Sequence, residues 1–335
     1  MSARAAALDG FLARAGWAAA TRHKLPGDAS FRRYVRLVRG AETVMLMDAP
    51  PPQEDVRPYV AVARLLTALG YSAPRVVAED TAEGFLLIED FGDRTYTRAL
   101  GEGAVEAELY ERAVDLLIDL HRRPLAGRLD GLPPYDTARL TAELAIFTDW
   151  WARLQLGADA RFVDAYRAQW AGLLAELDGG LETLVLRDYH VDNLMMLDRP
   201  GLAGVGLLDF QDAVRGPAAY DLVSLVNDAR RDVPRALARR MTERYVAAFP
   251  ALDRARFATA CAILSAQRNL KIIGIFTRLA ARDGKFGYLA HIPRVWRLLE
   301  ADLEHPALAG LRRWLDASVP AALRAAPRLA SAVSA

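Results

Sequence analysis

The sequence predicts an α+β protein in which a small antiparallel sheet comes first and a larger, mainly helical part follows. Three observations predict it. Up to about residue 92 the chain reads as short apolar or alternating segments separated by turn residues. Beyond that point apolar residues recur at helical spacing over long stretches. Between those helical stretches lie Leu186-Arg187-Asp188-Tyr189-His190-Val191-Asp192-Asn193 and Leu207-Leu208-Asp209-Phe210-Gln211, set among segments that read as short strands.

The totals narrow the options. With 335 residues the chain can build two lobes, each with its own core. A net charge of +1 gives no bulk electrostatic reason to expect nucleic acid as a partner. Of the 43 basic residues only Lys24, Lys271 and Lys285 are lysines, so a lysine is a scarce resource here. Cys261 is alone, which excludes an intrachain disulfide. Arg4, Asp9 and Arg14 interrupt the first apolar residues, unlike a secretory leader, and no uncharged run has the length of a membrane span. The expectation is a cytoplasmic monomer that acts on a small molecule, with no nucleic-acid or membrane partner.

The elements follow in order. Residues 2–20 read as an amphipathic helix with Leu8, Phe11, Leu12 and Trp17 on one side. Leu25 to Leu37 reads as a turn followed by an alternating strand, Val44 to Asp48 as the next strand, and residues 55–69 as a helix. After a turn at Gly70 to Pro74, two strands run from Arg75 to Ala78 and from Gly84 to Gly92. Helices are expected over 103–122, from Tyr135-Asp136 through Trp151, and over 159–177. His121 ends the first of these as a capping or core histidine. Leu184 to Leu186 reads as a buried strand, and Leu194 to Leu197 with Val205 to Leu208 as two strands turned at Asp198 to Gly201. Residues 222–329 look helical, broken at Pro234, Pro250, Pro293, Pro306 and Pro320.

A hairpin over 194–208 brings Asn193 and Asp209 to one edge, beside Asp188. Three oxygen-bearing side chains at one point suit a hard cation such as Mg²⁺. An Asp near an acceptor hydroxyl, with an Asn and a second Asp on Mg²⁺, is the set that protein kinases use. The two stretches resemble the motifs of the aminoglycoside phosphotransferase and choline kinase family, His-Gly-Asp-x-x-x-x-Asn followed by an Asp-Phe-Gly-like triplet. Leu186 and Arg187 stand for the His and Gly, and Gln211 for the last Gly. Over Gly27 to Tyr34, Leu86 to Asp93, Phe147 to Trp151 and Gln267 to Arg278 the chain also resembles the bacterial anomeric N-acetylmuramate/N-acetylglucosamine kinases of cell-wall recycling.

The resemblance implies a bilobal protein-kinase-like fold, with an N-lobe over 1–92 and a C-lobe over 93–335. It implies an ATP-dependent kinase acting on the C1 hydroxyl of an amino sugar. Asp188 is then the base, Asn193 and Asp209 hold Mg²⁺, and Asp221 is a structural anchor for the catalytic loop. The nucleotide side comprises Gly27, Asp28, Ala29, Ser30, Phe31, Arg32 and Arg33 at the phosphates, and the hinge backbone at Glu89, Asp90 and Phe91. The family's strand cation and helix Glu have no counterpart: Met47 or another apolar residue fills the strand position, and no Glu follows Asp55 in the next helix. Arg32 or Arg33 supplies that charge, or both are solvated strand arginines.

On the acceptor side, Glu143, Asp149 and Trp150, with Trp151, offer a sugar-binding wall of aromatic faces and carboxylates, or one Trp is core. Arg268, Asn269 and Lys271, with Gln267, interrupt an apolar helix, which is expensive unless they line a cavity. There they suit an anionic substrate. Two other readings share these residues. One is a kinase of the same fold for an aminoglycoside, choline-like or hydroxy amino acid acceptor. The other is a pseudokinase-like binding module.

Overall fold

A computed structural model describes residues 3–26, 31–125 and 127–325. The chain divides into two compact units, each made of two stretches. Met1–Leu116 joins Val191–Ala213, and Leu117–His190 joins Val214–Ala335.

The first unit is built on a five-stranded antiparallel sheet in the order β1-β2-β3-β5-β4: β1 (Thr21–Lys24), β2 (Arg33–Arg39), β3 (Glu42–Asp48), β4 (Val76–Asp80) and β5 (Phe85–Glu89). β3 and β5 sit inside the sheet and are buried on both faces, so Val44 to Met47 and Phe85 to Ile88 read as continuous apolar runs. Helix α1 (Ala3–Arg14) covers one face, where Phe11, Leu12 and Trp17 pack with Leu37, Leu46 and Leu87. It stops at Arg14, six residues earlier than the periodicity predicts. Gly16 turns left-handed (φ 77°) and Trp17 N donates to Leu12 O, so Trp17 reaches the core from a turn. β1 escaped the sequence reading because all four of its residues are exposed and show no alternation. Helices α2 (Arg57–Ala68) and α3 (Tyr96–Gly101) follow, and α4 (Glu106–Arg122) carries the chain from the first unit into the second.

In the second unit come α5 (Thr137–Ile146), a π-helical turn over Phe147–Ala152, α6 (Arg153–Leu156), α7 (Ala160–Ala175) and strand β6 (Glu182–Val185). The chain re-enters the first unit at Val191 and makes the hairpin β7 (Leu194–Met196) and β8 (Val205–Leu207). It returns through β9 (Val214–Pro217), which pairs antiparallel with β6 where the sequence reads as loop. Then α8 (Ala219–Val226), α9 (Arg235–Ala247), α10 (Arg254–Asp283), α11 (Ile292–Asp302), α12 (Ala309–Ser318) and α13 (Ala321–Ala325) complete the unit.

α10 is the axis of this unit. Its 30 residues span about 45 Å. Asp253 caps its start, and Gly284, left-handed at φ 68°, ends it. α5, the π turn, α8 and α11 all pack on it. Gly274 permits the closest crossing: a Cβ there would meet Ile146 O at 2.5 Å. The prolines expected as breaks lie between helices or at helix starts. Pro234 caps α9 and Pro293 lies in the first turn of α11, where a missing N–H costs nothing.

Candidate active site

The β7–β8 hairpin sets Asn193 and Asp209 at its two ends, with Leu208 N donating to Asn193 O (3.0 Å). Asn193 Nδ2 lies 3.5 Å from Asp209 Oδ2. Asp209 is left-handed (φ 58°), an uncommon conformation for a non-glycine residue. Gln211, where a Gly is usual, donates Nε2 to Asp209 Oδ1 (3.0 Å) and to Asp212 Oδ2 (3.2 Å), so it orients the carboxylate. Phe210 stacks on Tyr59 of α2 at 4.9 Å, which ties the triplet to that helix.

Two oxygens here suit Mg²⁺, which takes one or two carboxylates and fills its shell with phosphate and water. Among the described residues no group of three His, Cys, Asp or Glu is placed to hold an ion unaided. The Asp209 side chain is 42% exposed, so phosphate and water have access to it.

On the nucleotide side, Gly27, Asp28, Ala29 and Ser30 lie outside the described residues. Phe31 is exposed, and its N–H donates to Glu54 Oε1 (3.1 Å). Arg32 is largely buried, with Nε 3.7 Å from Glu54 Oε2 and Nη2 3.6 Å from Asp209 Oδ1. Burial works against its charge, but Tyr34, Asp209, Glu54 and Asp212 outweigh it and hold its pKa above the ordinary value. Arg33 pairs in register with Asp48 at the end of β3. Met47 is buried between Tyr34 and Leu86, so β3 offers no cation there.

At the proposed hinge, Glu89 N donates to Arg75 O (2.9 Å), and its carboxylate takes Arg75 and Arg199. Arg36 grips Asp90 (2.6 and 3.0 Å) and Asp93. Phe91 lies beneath Arg199, 5.1 Å from ring centre to guanidinium carbon.

In the second unit Asp221, fully buried on α8, accepts from Leu186 N (2.6 Å) and Arg187 N (2.8 Å). These two bonds fix the backbone immediately ahead of Asp188. Burial pushes Asp221 up to about 7, against those amides, with Asp188 adding to the rise. Arg187 is left-handed (φ 70°), which explains why glycine suits this place.

The Arg187 guanidinium turns to Glu143, which is the hub of a buried cluster. Its Oε1 takes Arg187 Nη2 and Lys271 Nζ (3.0 Å), and its Oε2 takes Tyr135 OH (2.6 Å) and Gln267 Nε2 (3.1 Å). Burial disfavours the carboxylate, but Lys271 and Arg187, with the Tyr135 and Gln267 hydrogen bonds, hold it at about 2.

Of the residues expected on the acceptor side, Glu143 and Lys271 meet, and Arg268 and Asn269 do not join them. Gln267 and Lys271 are one helical turn apart on a single face of α10. Arg268 instead donates to Asn227 O (3.2 Å), and Asn269 to Asp302 Oδ2 (2.8 Å). No one face of a helix presents 268, 269 and 271 together. Trp151 is core, stacked on Phe147 at 5.2 Å and against Trp296, while Trp150 is half-buried and Asp149 exposed on the π turn. Sequence reasoning missed Glu54, and it noted Arg187 and Gln211 without giving either a role. The signal was present for the last two, since each stands where the family motif has Gly.

Residues 21–258 match the model of the phosphotransferase enzyme family. The chain is 39% identical to the N-acetylmuramate/N-acetylglucosamine kinase of Caulobacter vibrioides, over 96% of this chain and 99% of that protein. It is 40% identical to the protein of the same name from Pseudomonas aeruginosa, over 88% of this chain and 87% of that one. Among solved structures, a choline/ethanolamine kinase family protein from Mesorhizobium loti superposes with a TM-score of 0.62 at 15% identity, covering 93% of this chain and 99% of the other.

Proposed function

The chain belongs to the phosphotransferase enzyme family, and on that premise we propose that it moves the γ-phosphoryl group of ATP onto the anomeric C1 hydroxyl of N-acetylmuramate and N-acetylglucosamine, as a step of peptidoglycan recycling. The observation that supports it most is the meeting of Asn193 and Asp209 at one end of a hairpin, beside a buried arginine, in a chain that matches two amino-sugar kinases nearly end to end.

The roles follow from the chemistry. Asp188 orients the acceptor hydroxyl and takes its proton as the bond to phosphorus forms. Asn193 and Asp209 hold Mg²⁺, whose charge offsets that of the phosphates when it is bound. Asp221 keeps the Leu186 and Arg187 amides in place, so Asp188 need not be repositioned during the reaction. Phe31, Arg32 and Arg33 face the phosphates, and the backbone of Glu89 to Phe91 takes the adenine. The functional boundary between nucleotide and catalytic lobes falls at Gly92-Asp93. Glu143 and Lys271 frame the acceptor side and do not bind the sugar, since both Glu143 oxygens are taken by Arg187, Lys271, Tyr135 and Gln267. The enzyme works as a cytoplasmic monomer, where ATP and the sugar are both at hand. No helix of the described residues is long and apolar enough to cross a membrane.

The test is ³¹P NMR of the purified chain with Mg-ATP and each sugar. A sugar phosphate coupled to the anomeric proton is expected. ADP without that signal would overturn the acceptor, and no ADP with any acceptor would overturn the kinase. Asp188→Asn should keep nucleotide affinity and lose about 10²–10⁴-fold in turnover; full residual turnover would remove Asp188 from the role of base.

A further inference from the structure

Kinases of this fold fix their phosphate-binding cation with a carboxylate from the next helix. Here neither residue is at its expected place. Met47 occupies the strand position and is buried among apolar neighbours. Helix α2 begins only at Arg57. Yet the first unit holds another cation–carboxylate pair nearby. Arg32 stands one residue ahead of β2. Glu54 stands three residues ahead of α2, accepts the Phe31 N–H and pairs with the Arg32 guanidinium at 3.7 Å.

The third member makes the pair informative. Arg32 also meets Asp209, with Nη2 3.6 Å from Oδ1. An arginine shared between a buried-side carboxylate and a metal-site carboxylate sits where phosphate oxygens would arrive. Its planar fork can take two of them in parallel. A lysine on β3 would approach the same phosphates from the sheet, and Arg32 approaches from the strand before it. The Arg32 and Glu54 side chains are only 13% and 19% exposed, so each offsets part of the cost of burying the other's charge.

We propose that Arg32 and Glu54 replace the absent strand-cation and helix-glutamate pair. Arg32 is the cation for the nucleotide phosphates, and Glu54 is the positioning residue that holds it. With Mg-ATP bound, Arg32 would pair with phosphate oxygen in place of Asp209, which would leave the Asp209 carboxylate available to hold the metal. Glu54 stays with Arg32 throughout. No bond to carbon or phosphorus is made or broken in this exchange. The proposal rests on the kinase reading above and adds to it the origin of the phosphate charge.

The test is nucleotide affinity of the full chain, measured by calorimetry with Mg-ATP, Mg-ADP and adenosine. Arg32→Ala should weaken Mg-ATP and Mg-ADP by about tenfold or more and leave adenosine unchanged. Arg32→Lys should fall between Arg32→Ala and the wild type. Glu54→Gln should lose less than Arg32→Ala, and the double variant should lose no more than Arg32→Ala alone, because Glu54 acts through Arg32. Unchanged Mg-ATP affinity in Arg32→Ala would overturn the proposal. So would an equal loss for adenosine, which marks a structural role. Additive losses in the double variant would remove Glu54 from it. If Arg32→Ala does not fold, Arg32→Gln is judged by the same criteria. A wild type that binds no nucleotide would instead overturn the kinase reading itself.

Discussion

Each compact unit holds an arginine–carboxylate cluster, and the two are built on opposite plans. Around Glu143 a single buried carboxylate is filled on both oxygens by two cations, a phenol and an amide. Around Arg32 a single cation lies 3.6 and 3.7 Å from two carboxylates, one of them 42% exposed. The Glu143 cluster has the contacts of a frame, closed by its own side chains. The Arg32 cluster has the contacts of a site, with acids left over for a metal and a cation for phosphate. Charge gives the same contrast: Glu143 with Arg187 and Lys271 carries a surplus of one positive charge, whereas Arg32 with Glu54 and Asp209 carries a surplus of one negative charge. A surplus of negative charge at an accessible edge suits an incoming divalent cation.

This comparison can be broken most sharply at its two carboxylates. Asp209→Ala should cut turnover by at least about 10³-fold while Tm stays within about 2 °C of wild type. Glu143→Gln should do the reverse in kind. It leaves the buried Arg187 and Lys271 cations facing a neutral amide, which should cost about 3–5 kcal/mol, read as the loss in urea unfolding free energy. If Asp209→Ala unfolds the protein, or Glu143→Gln leaves stability intact, the division into site and frame is wrong.

A pH series sharpens the same point with a smaller effect. The folded state holds Glu143 at about 2, below its ordinary 4.5. Its stabilising contribution is therefore present above about pH 4.5 and is lost as pH falls toward 2. Asp221 has the opposite sign. Burial raises it to about 7, so its contribution is present at low pH and fades as pH rises from about 4 to 7. Urea unfolding between pH 5 and 2.5 should fall steeply for wild type and less steeply for Glu143→Gln, by the equivalent of one proton. Equal slopes would mean that Glu143 is not the group being titrated.

Much of this was legible in the sequence, and the reasons for success and failure differ by residue. Strands β3 and β5 announced themselves because two-sided burial makes continuous apolar runs. Asp188, Asn193 and Asp209 were singled out because phosphoryl transfer uses those side-chain types at that spacing, and Asp221 because the resemblance implies an anchor there, where it accepts from the Leu186 and Arg187 amides. β1 and β9 were missed because neither shows a buried alternating face or run long enough to recognise: β1 is wholly exposed, and β9 is four residues with two glycine-proline positions. Grouping Asn269 with Lys271 failed because helix residues two apart point about 160° apart, so polarity in one stretch served two separate clusters. Glu54 was missed because the family pattern directs attention into the helix, and here the acid lies ahead of it.

The smallest effect is also the most specific to the frame. Arg187 combines a left-handed backbone with a cation on the Glu143 hub. Arg187→Gly relieves the backbone but removes one of two cations, and Lys271 remains 3.0 Å from the carboxylate. Losing one cation from a two-to-one cluster leaves a balanced pair, whereas losing the hub leaves two cations without a counter-charge. Arg187→Gly should therefore cost about 1–2 kcal/mol, well short of Glu143→Gln. Arg187→Ala removes the same cation without relieving the backbone, and should be about 1 kcal/mol less stable than Arg187→Gly. Equal stability of the two variants would show that the turn ahead of Asp188 relaxes when the guanidinium is gone. Wild-type stability in Arg187→Gly would show that Lys271 alone closes the cluster, and that Arg187 must be explained by something other than the frame.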